Sequence, residues 1–71
     1  MTEEEYLILI GKNISTIRKK NGLTLDELGD LCGMEKTNLS PIENGRGNVT
    51  ALSLYRIATA LKVDVKELFE F

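Results

Sequence analysis

The apolar residues of this chain recur at three- and four-residue steps and almost nowhere in strict alternation, so the pattern predicts helices and no strand. Leu7, Ile10, Ile14 and Ile17 form one such stripe, the spacing that lays side chains along a single helix face. Thr2 followed by Glu5 is a capping box. The hydroxyl accepts from an amide left free at a helix start while the carboxylate reaches back to the cap. A first helix is therefore predicted to open at Thr2 and to stop at Asn21-Gly22, where glycine accepts the left-handed conformation common at helix ends.

The same punctuation repeats down the chain. Thr24 with Glu27 opens a short second helix whose Leu25, Leu28 and Cys32 point inward, and Gly33 ends it. A third helix, roughly Lys36 to Glu43, is bounded by that glycine and by Asn44-Gly45, and a polar loop from Asn44 to Asn48 follows. Thr50 is the expected N-cap of a fourth helix, on which Leu54, Ile57, Ala58 and Leu61 share a face. Asp64 with Glu67 makes a third capping box, starting a last turn or two that carries Val65, Leu68 and Phe69. With no internal repeat or low-complexity stretch, residues 1–71 are expected to form a single all-α domain, a compact five-helix bundle.

The functional feature of this order is a helix, a glycine-centred turn and a second helix, together about residues 24–43. Gly33 can take the positive φ of a sharp turn, and Gly29 is small enough for two helices to approach closely. Met34, Leu39 and Ile42 would anchor the second of these helices to the core. Its opposite face presents Lys36, Thr37, Ser40 and Pro41, with Asn38 at the flank. Short or basic side chains on an exposed helix suit a DNA major groove, where the helix must enter closely and meet base edges.

Composition removes several other readings. At 71 residues the chain is near the lower limit for a core without disulfides or metal, a limit that dimerisation would ease. One cysteine, Cys32, and no histidine leave no intramolecular disulfide, no zinc ligand set and no histidine acid–base chemistry. Cys32 lies in an apolar pattern and is expected to be a buried structural thiol. No enzyme, cofactor or metal site is therefore expected. The longest apolar run, Tyr6 to Ile10, is too short to cross a bilayer, and with no readable signal peptide a cytoplasmic location is the default.

A net charge of −2 argues at first sight against a nucleic-acid partner, but three of the acids are Glu3, Glu4 and Glu5 at the very start. Without them nine basic residues face eight acidic ones. Arg18, Lys19 and Lys20 cluster where cations offset a helix C-terminal dipole, or contact DNA. Ile8 and Leu52, with Phe69 and Phe71, are apolar residues that either stand singly exposed or form a dimer patch.

At this point the chain resembles the phage Cro/repressor-type, XRE-like helix-turn-helix family. The resemblance runs over about sixty residues and is carried by Ile10 to Ile14, Ile17-Arg18, Gly22 to Thr24, Glu27-Leu28, Gly33, Leu39-Ser40, Ile42 to Arg46, Leu54, Ile57-Ala58, Ala60-Leu61 and Glu67 to Phe69. It implies a lambda-repressor-like five-helix domain whose third helix reads DNA, whose second helix and following loop grip phosphates, and whose last segment helps dimerise. By that resemblance Lys36, Thr37, Ser40 and Pro41 are base-facing, whereas Asn38, Asn44, Arg46 and Asn48 meet the backbone. Arg18 and Glu43 match positions that commonly pair, and a structural salt bridge is the favoured reading of both.

Three positions depart from the family pattern. Leu25 replaces a glutamine that usually donates to a phosphate, and Glu35 replaces a serine, the better N-cap. Pro41 replaces a long polar reader. Read locally, Ser40 to Glu43 has the form of a helix start, but Asn44-Gly45 leaves no room for that helix, so Pro41 is placed inside the third one. There it offers no amide to the Thr37 carbonyl and costs about 3 kcal/mol in a regular helix.

The expected function is that of a transcriptional regulator binding double-stranded DNA at an inverted repeat as a homodimer. The alternative is an antitoxin-like or other protein-interaction module that keeps the helix-turn-helix fold, with another protein as its main partner.

Overall fold

The computed structural model describes residues 1–47 and 49–71. Helix α1 spans Glu3–Lys20, α2 Leu25–Cys32, α3 Lys36–Glu43 and α4 Ala51–Leu61, and a 3-10 turn covers Val65–Phe69. The order is the predicted one, and the fifth element alone differs in type. Five residues closed by an Asp64 cap gain few α-helical bonds, so the tighter turn costs little. It buries Leu68 and leaves Val65 exposed.

Helices α1, α2 and α4 start where a side-chain capping box satisfies free backbone amides. Thr2 Oγ1 accepts from the Glu5 amide at 3.1 Å, and Glu5 Oε1 accepts from the Thr2 amide at 2.9 Å. Those bonds with Thr2 hold the Glu5 carboxyl below the usual glutamate range. Thr24 and Glu27 repeat the arrangement. At α4 the box is closed by Ser53, whose Oγ accepts from the Thr50 amide at 3.0 Å. All four helices end with a left-handed residue: Gly22, Gly33 and Gly45 at φ 70°, and Lys62 at φ 62°.

All five elements contribute to one core. Ile10 and Ile14 of α1, Leu28 and Cys32 of α2, Leu39 and Ile42 of α3, four residues of α4 and Leu68 of the 3-10 turn are buried together. The α1 stripe is buried only in its middle, and Leu7 and Ile17 at its ends are half-buried. α1 packs on α3 and on the 3-10 turn, while α2 packs on α4 and α3.

Two close approaches depend on the absence of a Cβ. One at Gly11 would lie 2.5 Å from the carbonyl oxygens of Ile42 and Glu43, so α3 ends directly against α1. One at Gly29 would collide with the Met34 carbonyl, the tight α2–α3 approach expected of that residue.

The 3-10 turn and the end of α4 are both tied back to α1 and its cap. Asn13 Nδ2 donates to the carbonyls of Leu68 and Glu70 at 3.1 and 3.2 Å, and Asn21 Nδ2 donates to the Leu61 carbonyl at 3.0 Å. Among the described residues no helix is long and apolar enough to cross a membrane.

Candidate nucleic-acid interface

α3 is presented outward by its own packing. Gly33 reverses the chain after α2, and the Met34 amide bonds back to the Gly29 carbonyl at 3.0 Å. Leu39 and Ile42 then fix the inner side of α3 in the core. The consequence is that Lys36, Thr37 and Asn38 are exposed, while Ser40 and Pro41 are half-buried.

The candidate residues divide around the helix. Thr37, Asn38 and Pro41 line a depression whose other wall is Gly47, Thr50 and Ser53 at the start of α4. Lys36 and Ser40, four residues apart, lie outside it on the neighbouring strip of α3. Thr37 Oγ1 is 3.4 Å from Glu35 Oε2, a long contact that leaves the hydroxyl easily redirected. Glu35 gives α3 no side-chain cap. Thr50 and Ser53 carry no site signal in the sequence, where the Thr-x-x-Ser spacing marks only the helix start and does not show that it walls this depression.

The loop after α3 is built on the helix end. The Gly45 amide donates to the Ile42 carbonyl at 3.1 Å and the Arg46 amide to the Pro41 carbonyl at 2.8 Å, the paired bonds of a Schellman motif. Asn44 Nδ2 donates to the Ser40 carbonyl at 2.9 Å, so the Asn44 amide group is committed to capping. The Arg46 side chain is exposed from this fixed point. Asn48, the remaining expected backbone contact, lies outside the described residues.

Arg18 and Glu43 form the expected pair. Arg18 Nε and Nη2 donate to the two carboxylate oxygens at 2.7 and 3.1 Å, and Nη1 donates to the Leu23 carbonyl at 2.7 Å. Donating to the Glu43 carboxylate holds the Arg18 guanidinium even more firmly protonated than usual. The pair neutralises a carboxylate beside the loop and withdraws Arg18 from the basic cluster, leaving Lys19 and Lys20 exposed. Lys36 and Arg46 form no ion pair among the described residues.

The remaining singled-out positions are spread over the molecule. Leu25 packs against the core, so the missing glutamine is replaced by a packing residue. Cys32 is buried, and burial pushes its thiol up from the ordinary range. Ile8 is 42% exposed but also seats the loop, since a Cβ on Gly45 would lie 2.6 Å from it. Leu52 is exposed in the first turn of α4. Phe69 and Phe71 gather around Tyr6 of α1, at ring distances of 6.1 and 5.5 Å. Tyr6 was hidden in the sequence because it belongs to the apolar run of α1 and its ring partners are over sixty residues away.

Comparison with known proteins agrees with this geometry. A family described as helix-turn-helix matches residues 14–68. The uncharacterized HTH-type transcriptional regulator y4dJ of Sinorhizobium fredii is 40% identical over 60 residues, covering 84% of this chain and 78% of that protein. Control protein C.BamHI of Bacillus amyloliquefaciens is 32% identical over 65 residues, with 90% and 80% covered. The restriction-modification controller protein C.AhdI of Aeromonas hydrophila superposes with a TM-score of 0.87 at 30% identity, over 89% of this chain and 96% of that one. The biofilm master regulator SinR in complex with DNA gives a TM-score of 0.79 at 35% identity, over 86% and 98%.

Proposed function

The chain belongs to the helix-turn-helix family, and from that premise we propose that it is a sequence-specific, DNA-binding transcription regulator that acts as a homodimer and catalyses no reaction. Residues 1–71 serve as one DNA-binding domain. The observation that carries the reading is α3 itself, anchored inward by Leu39 and Ile42 and presenting Lys36 and Thr37 outward, with the exposed Arg46 in the loop whose backbone is bonded to the end of the same helix. Lys36, Thr37, Ser40 and Pro41 meet base edges, with Pro41 limited to an apolar contact such as a thymine methyl. Asn38, Arg46 and Asn48 meet phosphates. Asn44 contributes to the same grip mainly by capping α3, because its amide is already bonded to Ser40.

Dimerisation uses the face that carries Phe69 and Phe71, extended by Tyr6, with Ile8 and Leu52 as further apolar candidates. Selection of bound sites from random DNA tests the whole reading. Thr37→Ala is expected to cost about 1–3 kcal/mol at the selected site and to relax its sequence preference. Arg46→Ala should weaken all DNA about equally and lower the salt slope by about one unit. Unchanged affinity and salt dependence in both variants would transfer the function to a protein partner.

A further inference from the structure

The face formed by α2 and α4 carries two large apolar side chains that remain mostly in water, Leu31 and Tyr55, exposed by 60% and 61%. Beside them runs a groove made of two adjoining depressions that share Leu31, Ala60 and Lys62. No carboxylate lines either depression, whereas Arg56 and Lys62 both do. Neither cation forms an ion pair among the described residues. Arg56 lines the same depression as the buried Cys32, with Tyr55 beside it in sequence. This groove shares no residue with the depression beside α3 or with the aromatic cluster at Tyr6.

We infer that the α2–α4 groove binds an acidic peptide segment of another protein, held by two apolar anchors against Leu31 and Tyr55 and aligned by its carboxylates on Arg56 and Lys62. Apolar area rimmed by polar groups is what interaction sites present. Here the apolar contact supplies the hold and the cations select the sign and register of the partner. An amphipathic helix with anchors three or four residues apart and acids on its flanks meets both demands. A second copy docking the same face across a two-fold axis would bring the Arg56 and Lys62 of both copies into one interface whose lining offers no carboxylate, which disfavours it. The inference goes beyond the regulator reading, because the groove is open whether or not α3 occupies DNA.

The test is selection from a phage-displayed random dodecapeptide library on the full chain, in parallel with the double variant Arg56→Glu, Lys62→Glu. Enriched peptides are expected to be net acidic with two apolar residues, to shift the amide resonances of Leu31, Tyr55 and Ala60, and to bind the double variant about tenfold more weakly or worse. Tyr55→Ala, at an exposed site, should weaken the same peptides and gives the answer if charge reversal disturbs folding. The melting temperature and selected DNA site of the double variant should be unchanged, which separates failure of this inference from failure of the regulator reading. Absence of enrichment, basic or uncharged peptides, or equal binding to the double variant overturns it. So do concentration-dependent shifts at Leu31 and Tyr55 without peptide, which would assign the groove to a second copy.

Discussion

Glu43 closes α3 with both carboxylate oxygens on Arg18, and the two side chains are only 8% and 12% exposed. Removing one partner of such a pair leaves a charge that water reaches poorly, so Glu43→Ala is expected to cost about 3 kcal/mol. A lower urea midpoint with an unchanged slope is the measurement. The double variant Arg18→Met, Glu43→Leu should recover most of the loss, because apolar side chains of similar volume need no partner. If it stays as unstable as the single variant, packing rather than charge is what the site requires. The pair was legible in the sequence through the family resemblance. Its second task was not: the third Arg18 bond, to the Leu23 carbonyl, fixes the turn into α2 and exists only once the chain has folded back.

At the level of elements, α3 contains one residue that opposes its own helix, and α4 is capped by another. Pro41 lies inside α3 without an amide for Thr37, yet the helix runs unbroken to Glu43. Its carbonyl holds the Arg46 amide, and its ring walls the depression with Thr37. Pro41→Gln should restore the missing bond, stabilise the fold by about 1–3 kcal/mol, and change the preferred base at one position per half-site. Thermal melting beside repeated site selection decides the matter: a less stable variant with the same site would show that the ring is needed for packing alone. α4 ends on Lys62 at φ 62°, where the Val63 amide reaches the Ala58 carbonyl at 3.0 Å. A side chain in that conformation costs about 1 kcal/mol, so Lys62→Gly should raise the melting temperature by about 4–8 °C. An unchanged or lower value would mean that the lysine side chain offsets its own backbone strain.

The whole molecule measures 32 × 22 × 20 Å, while the half-site centres of a two-fold operator lie about 34 Å apart, one turn of DNA. Two abutting protomers of this size span that distance, so the expected target is an inverted repeat occupied by two chains. A selected site without dyad symmetry, or one chain per specific site in sedimentation, contradicts the dimer. The proposed dimer face depends on Asn13, whose amide holds the Leu68 and Glu70 carbonyls and so brings Phe69 and Phe71 to Tyr6. Asn13→Ala is expected to cost about 1 kcal/mol of stability and, beyond that, to weaken dimerisation measured by sedimentation. Loss of stability with an intact dimer would move the interface elsewhere.

Helix order, the capping boxes, the core stripes and the outward face of α3 were determined by the sequence itself, because caps and apolar periods act over three or four residues and need no distant partner. Contacts between distant segments were decided by the tertiary structure: Gly11 beneath the end of α3, Asn13 on the last carbonyls, Tyr6 among the final aromatics and the groove between α2 and α4. In each of these the partner lies more than twenty residues away, and only packing sets which side chains meet. A glycine, an asparagine or a tyrosine looks the same in a sequence whether or not another helix passes over it.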